Sequence, residues 1–235
     1  MRNKILILLF LGSSLFGGLS SCDDDSTSGL TGITYYPSIE MNGESTVFIA
    51  KGDTYTDAGA VAVINGEEVE MTTTSNVNTD EIGVYAVSYS ATNSDGFSTN
   101  ASRDVYVYDP NVSTEDISGT YTANVTRTDN GTGATASYSG NPVTLTSTGV
   151  SGLYAISDWI GGYYDVGYDY GSAYAFDGYI QINADNNVIE ISMNNAWDYP
   201  FGEVVGTYNS ITGIISYTAT WSDDTYTFAV NMSKE

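Results

Sequence analysis

From Ile33 onward the chain repeats one pattern: a short run in which apolar and polar side chains alternate, then a cluster of Gly, Asn, Asp or Ser. Alternation with period two puts one set of side chains on a buried face and the other in water, so each run predicts a half-buried strand. In Tyr85-Ala86-Val87-Ser88-Tyr89-Ser90-Ala91 the odd positions are Tyr, Val, Tyr and Ala, and the even ones are mostly small and polar. Asn93-Ser94-Asp95-Gly96 then supplies a turn, and Phe97 through Val107 predicts the returning strand of a hairpin. Ile64-Asn65-Gly66-Glu67 is another hairpin signal. Further on, Ile189, Ile191 and Met193 alternate with Glu190, Ser192 and Asn194; Ile215, Tyr217, Ala219 and Trp221 alternate with Ser216, Thr218 and Thr220; and Tyr226, Phe228, Val230 and Met232 form a last strand. Nothing reads as a helix of useful length. The pattern breaks at Asp109-Pro110-Asn111-Val112-Ser113-Thr114, which divides a segment over 33–109 from one over 116–235. The expectation is an all-β chain: a sandwich first, then an antiparallel meander of about seven or eight strands that closes, or nearly closes, into a barrel.

The residues before Ile33 follow a different logic. Arg2 and Lys4 precede the apolar run from Ile5 to Leu11, which is followed by a stretch rich in small residues, the layout of a secretory signal over 1–21. That run is too short to span a bilayer. It ends at Leu19-Ser20-Ser21-Cys22, which resembles the bacterial lipobox and implies cleavage before Cys22 and lipidation of that residue. More than one acyl chain gives stable anchoring, so the expected product is tethered to the outer membrane through lipid and does not span it. Asp23-Asp24-Asp25 follows at once and resembles the surface-export signal of lipoproteins from the Bacteroidetes, which implies exposure to the cell exterior. Residues 22–32 read as an acidic, flexible tether.

Composition narrows the chemistry. With no histidine and a single cysteine, the chain lacks His-dependent triads, His-bearing zinc sites and disulfides. Against 29 Asp plus Glu stand 6 Lys plus Arg, a formal charge of -23, so nucleic acid is excluded as the main partner. Asp53, Asp57, Asp80 and Glu81 supply oxygens of the kind calcium takes, but acids in such segments also cap turns or face water. No cofactor is expected.

In Glu81-Ile82-Gly83-Val84-Tyr85-Ala86-Val87, an acid, a small residue and a tyrosine stand at the spacing that immunoglobulin domains use for the tyrosine corner, and Val87 occupies the place of the second disulfide cysteine. Together with Lys51-Gly52-Asp53-Thr54-Tyr55-Thr56-Asp57-Ala58-Gly59-Ala60, Asn93, Asp95-Gly96 and Arg103-Asp104-Val105-Tyr106-Val107, this segment resembles the immunoglobulin-like domain of Bacteroidetes surface lipoproteins. The resemblance implies a spacer or presentation module. Asp116-Ile117-Ser118-Gly119-Thr120-Tyr121, Gly152-Leu153-Tyr154 with Ser157-Asp158-Trp159, and Gly206-Thr207-Tyr208 with Thr212-Gly213 resemble the C-terminal β domains of unknown function found behind that module. What this second resemblance implies is an accessory of an outer-membrane transporter that captures nutrients, either glycans or oligopeptides.

The segment from Asp158 to Tyr174 has no clean period of 2 or 3.6 and is glycine-spaced, aromatic and acidic. Trp159, Tyr163, Tyr164, Tyr168, Tyr170 and Tyr174 offer flat apolar faces with polar tips, suited to stacking on a sugar ring or a peptide side chain. Asp158, Asp165 and Asp169 accept hydrogen bonds from hydroxyls or amides. Trp197 and Tyr199, in Trp197-Asp198-Tyr199-Pro200-Phe201, follow a later strand and stand ready to converge on the same rim. Three readings remain open for this set: a ligand site, a plug that fills or covers the barrel, and a docking surface for a partner. On the first, Trp159→Ala or Tyr164→Ala is expected to abolish ligand retention without unfolding. Paired carboxylates are the requirement of glycoside hydrolysis, but neither segment resembles a hydrolase and no enzyme activity is expected.

Overall fold

The computed structural model describes residues 33–235. The signal over 1–21, Cys22 and the tether over 22–32 lie outside the described residues. In chain order the first part carries β1 (Ser38–Met41), β2 (Thr46–Ala50), β3 (Ala60–Ile64), β4 (Glu67–Val69), β5 (Thr72–Ser75), β6 (Gly83–Thr92) and β7 (Ser98–Tyr108). They form two sheets, β1-β3-β4 and β2-β7-β6-β5, antiparallel except where β2 runs parallel to β7. Asn65-Gly66 turns β3 into β4, and the 93–96 turn joins β6 to β7 as the alternation predicts.

Val87, Tyr89, Ala91, Val105 and Val107 are buried in this immunoglobulin-like sandwich. The Tyr85 hydroxyl donates to the Glu81 carbonyl at 3.1 Å, so the tyrosine corner is formed. At the sandwich centre sits Arg103, fully buried and paired with Asp57, the one ion pair among the described residues. Its guanidinium also donates to Tyr89 Oη at 2.9 Å, to the Glu44 carbonyl at 2.8 Å and to the carbonyl of Asn42. A buried charge is tolerated only when paired and hydrogen-bonded throughout, and Arg103 meets that condition. Burial by itself would raise the Asp57 carboxyl pKa, but donation from Tyr89, Tyr55 and the Gly59 amide outweighs it and holds the group below its ordinary value. Asp57 is thus a structural anion. Among the described residues no group of three or more acids, Cys or His gathers for a metal.

The second part carries β8 (Gly119–Asp129), β9 (Thr135–Ser147), β10 (Leu153–Ile156), β11 (Gly178–Ile182), β12 (Val188–Met193), β13 (Phe201–Asn209), β14 (Ile214–Trp221) and β15 (Tyr226–Lys234). All eight belong to one antiparallel sheet in the order β12-β11-β10-β9-β8-β15-β14-β13. Consecutive strands pair throughout except β12 with β13, and the first and last strands of the domain, β8 and β15, pair along their length. The seam of this nearly closed barrel therefore falls in mid-chain, between β12 and β13, where a bridge between Asn187 and Thr207 brings the two edges together.

The expected alternation holds along β14 and β15, where Ile215, Tyr217, Ala219, Phe228, Val230 and Met232 are buried in the core. It fails along β12. Val188 and Ile191 are buried there while Ile189 is half-exposed, because a bulge opposite Tyr179 and Ile180 shifts the phase of the strand. β9 reaches back to Thr135, well before its apolar half, with Gly140 bulged out of β9 opposite Ala123 and Asn124 of β8.

One end of the barrel is closed by the segment that leads into β8. Tyr121 Oη donates to the Ile117 carbonyl at 2.7 Å, Tyr154 Oη to the Glu115 carbonyl at 2.9 Å, and Tyr208 Oη to the Glu115 carboxylate at 2.6 Å. Tyr121 stands four residues after its acceptor, two after a glycine, as Tyr85 does in the sandwich. The outer face of β11 meets the sandwich. Tyr179 packs edge-on against Phe48 at 5.2 Å and Tyr106 at 4.6 Å, and the buried Gln181 amide exchanges two hydrogen bonds with the backbone of Asp109, at 3.0 and 2.7 Å. Gln181→Ala leaves that buried N–H and C=O unpaired. The expected cost is roughly 1–3 kcal/mol in urea unfolding, and an unchanged midpoint would show that the junction does not unfold with the barrel.

Candidate functional site

The aromatic segment joins β10 to β11 and fills the other end of the barrel. Its two ends are tied by the Trp159 amide, which donates to the Phe176 carbonyl at 2.7 Å. Gly161 and Gly162 both take left-handed backbone, with φ of 63° and 70°. A Cβ on Gly161 would stand 3.3 Å from Val125 and Val230, and one on Gly162 3.0 Å from Asn141. Buried Asn141 on β9 donates to both glycine carbonyls, at 2.8 and 3.3 Å. The glycines thus let the chain dip between β8, β9 and β15, and Asn141 satisfies the backbone brought inside. One π-helical turn over Tyr163–Gly167 and a 3-10 turn over Ser172–Tyr174 complete the segment.

The predicted residues divide by depth. Trp159 is fully buried: its indole N–H donates to the Ser192 carbonyl at 3.0 Å, its own carbonyl accepts the Tyr217 hydroxyl at 2.6 Å, and its ring meets Tyr217 edge-on at 5.6 Å. Tyr163 is also fully buried, 5.4 Å from Phe228 and 5.1 Å from Tyr138, with its phenol raised above the ordinary range by burial. Tyr164 is buried beneath Trp197 and Phe176. These three rings, with Phe176, plug the barrel. Substitutions at Trp159 and Tyr164 therefore remove core, and the expectation that they act on ligand retention alone is corrected by their burial.

The outer half of the segment differs. Tyr168, Tyr170 and Trp197 are 39%, 51% and 42% exposed, and Tyr174 is half-buried between Tyr170 and Trp197, 5.3 Å from each. Tyr168 lies 5.4 Å from Tyr170, and Tyr170 stacks on buried Tyr164 at an interplanar angle of 9°. The result is a continuous exposed ridge of four rings set on a buried aromatic floor. Trp197 converges on this rim as expected. Tyr199 does not: it turns aside to pack on Trp221 at 4.8 Å, and its hydroxyl is held by Asp223.

The acids divide as well. Asp169 is exposed and Asp165 half-buried. Asp158 is 2% exposed, with Oδ1 accepting the Ile160 amide at 2.8 Å and Oδ2 buried without a partner. Burial raises its carboxyl pKa to about 7, against the pull of the surrounding backbone amides. Asp158 lies at the floor of a hollow beside the plug, with almost all of its surface covered.

Arg127 is a site residue that the sequence does not reveal. On β8 its guanidinium lies 4.5 Å from the Tyr226 ring centre and 5.3 Å from that of Tyr163, and it donates to Tyr164 Oη at 3.2 Å. Cation–π contact takes the place of a carboxylate and locks the floor beneath the ridge. One arginine in an alternating strand carries no signal of this role; only the register of β8 against β15 shows it.

Two family models match the chain: one described as a bacterial surface protein, Ig-like domain, over residues 39–107, and one described as a C-terminal domain, over residues 109–234. Among solved structures, the chain is similar to the lipoprotein BT2262 from Bacteroides thetaiotaomicron, with 26% identity over 85% of this chain and 100% of that one and a TM-score of 0.46. It is also similar to a structure of CBM51-2 in complex with GlcNAc and INT domains from Clostridium perfringens ZmpB, with 18% identity over 51% of this chain and 29% of that one and a TM-score of 0.25. None of the curated proteins matches the chain.

Proposed function

We propose that this chain, which belongs to the family of the matched C-terminal domain and carries it behind a bacterial surface Ig-like domain, is a lipid-anchored surface protein that holds a glycan on its aromatic ridge. The observation that carries this reading is the exposure of Tyr168, Tyr170 and Trp197, with Tyr174 between them, over rings that are themselves packed. Tyr168, Tyr170 and Trp197 each pack one side on the floor and leave another open to solvent, and flat rings of fixed tilt suit the apolar faces of sugar rings. Phenol and indole edges remain available for hydroxyls. The net charge of -23 disfavours polyanionic ligands through repulsion. Cys22, at the end of its lipobox-like sequence, is the proposed anchor to the outer membrane, with the folded body facing the cell exterior and a transporter as the partner that receives the ligand.

The double variant Tyr170→Ala/Trp197→Ala tests the reading, since both rings present an exposed face. Glycan retention is expected to fall by about tenfold or more, measured at a temperature where the variant is still folded, since loss of the contacts with Tyr164 and Phe176 lowers its thermal midpoint. Full retention by the double variant refutes the ridge as the site. Copurification with a transporter that is lost in this variant, with no glycan affinity in either protein, assigns the ridge to docking instead.

A further inference from the structure

Two hollows open on the outside of the barrel. One, of about 600 Å³, lies beside the plug and is bounded by Asp165, Ser172 and Asn195. The other, of about 350 Å³, runs to the domain junction and is bounded by Thr144 and Thr146 of β9, Tyr179 of β11 and Tyr106 of the sandwich. Ser157, Asp177 and Asn194 border both, so the hollows adjoin at that point. A backbone hydrogen bond of 2.7 Å from Asn194 to Asp177 sets the last two side by side. Their side chains are exposed and make no hydrogen bond among the described residues. Ala173 and Ala175, either side of Tyr174, and Ala196, next to Trp197, are part of the wall of the outer hollow, so the backbone that carries these two ridge rings lies alongside it.

The chemistry of the lining is specific. Hydroxyls, side-chain amides and carboxylates are spread along the whole course, tyrosine rings stand at the inner end, and neither hollow is bordered by Lys or Arg. Carboxylates and amides accept and donate to vicinal hydroxyls, whereas an anion entering here meets Asp165 and Asp177 with no cation to balance it. The volumes fall within the roughly 300–1,000 Å³ of small-ligand sites. We propose that the two hollows form one groove that holds an extended neutral oligosaccharide, running from the ridge past Asp177 and Asn194 to Tyr106. The proposal rests on the glycan reading of the ridge and makes the immunoglobulin-like domain one wall of the site and not only a spacer.

The test measures binding of the purified protein by calorimetry to neutral glucan, mannan, galactan and xylan oligosaccharides from disaccharide to hexasaccharide, with oligogalacturonides and hexalysine as competitors in class. A neutral hexasaccharide is expected to bind more tightly than its disaccharide. Asp177→Ala/Asn194→Ala is expected to weaken the hexasaccharide by about tenfold and leave the disaccharide, held at the ridge, unchanged. Tyr170→Ala/Trp197→Ala is expected to weaken both. Affinity independent of length, a hexasaccharide affinity unaltered in Asp177→Ala/Asn194→Ala, or tighter binding of the oligogalacturonides or hexalysine overturns the groove. If the groove variant binds like the parent while the ridge variant loses binding, the groove fails and the ridge stands. If the parent protein binds none of the neutral series, the ridge reading falls and the groove with it.

Discussion

Trp159→Ala is expected to lower the unfolding free energy by about 3–5 kcal/mol, the range for removing a fully buried large aromatic side chain. The indole fills the barrel end between Tyr217 and Phe201, and its N–H satisfies the Ser192 carbonyl on β12. Alanine leaves both the cavity and an unpaired carbonyl. Because Ser192 lies on the strand that borders the seam, the loss is expected to reach the β12–β13 edge and not to stay local. Denaturant unfolding followed by tyrosine and tryptophan fluorescence measures it. A loss under about 1 kcal/mol, below the usual cost of a buried large-to-small change, would show that the segment is a detachable cover. Any fall in ligand retention in this variant reports on folding, which is why the ridge residues and not Trp159 are the right probes of binding.

Asp158→Asn is expected to change the stability of the protein in a pH-dependent way. The folded-state pKa of Asp158 is raised from 3.8 to about 7, chiefly by burial, with the charge on Asp165 adding to the rise and the amides of Ile160, Gly162 and Phe176 opposing it. A carboxyl with a raised folded-state pKa contributes its full stability below the unfolded value. That contribution is lost as pH rises from about 4 through about 7, and is flat beyond. The interval corresponds to on the order of 4 kcal/mol at 1.36 kcal/mol per pH unit, an upper bound for a site that can relax or admit water. Asparagine keeps the size and the oxygen that accepts the Ile160 amide, and carries no charge. Asp158→Asn is therefore expected to gain stability relative to the parent as pH rises from about 4 to about 8. Urea midpoints of the two proteins across this interval decide the matter, since the titration of every other carboxyl is common to both; a constant difference would show that Asp158 does not titrate with folding. The buried Tyr217 phenol, which Asp158 helps to push up, stays neutral throughout.

What the sequence made legible was what local rules decide. The Asn65-Gly66 hairpin, the tyrosine corner at Tyr85 and the alternation through Ile215, Tyr217 and Ala219 each rest on a few adjacent residues, and each is present. The phase of β12 was not legible, because a bulge is a property of a strand pair: Glu190 opposes Ile180 only through a register that neither strand encodes alone. The same limit explains the site. Trp159 and Tyr170 look alike in a glycine-spaced run without a period, and what sends one inward and the other outward is the pair of inward-dipping glycines held by Asn141, together with Arg127 beneath. Asn141 and Arg127 lie on strands outside the segment they hold, so a local reading singled out the segment without dividing it. The plug is present in the first half of the loop, and the exposed rings on which the proposed ligand reading rests lie in the second half and at Trp197.

The pairing of β8 with β15 and the mid-chain seam fix how the domain answers to force. On the proposed function, with the chain tethered through its N-terminus and a ligand held at the plug end, tension would enter at the start of β8 and be drawn off at the opposite end of the barrel. β8 is flanked by β9 and β15 along its length, so the load runs parallel to the strand and shears both hydrogen-bonded ladders at once. Had the seam fallen between the first and last strands, the same tension would have met β8 as a free edge, with one flank unpaired. Placing the opening between β12 and β13 keeps the weakest line of the barrel away from the strand that carries the pull.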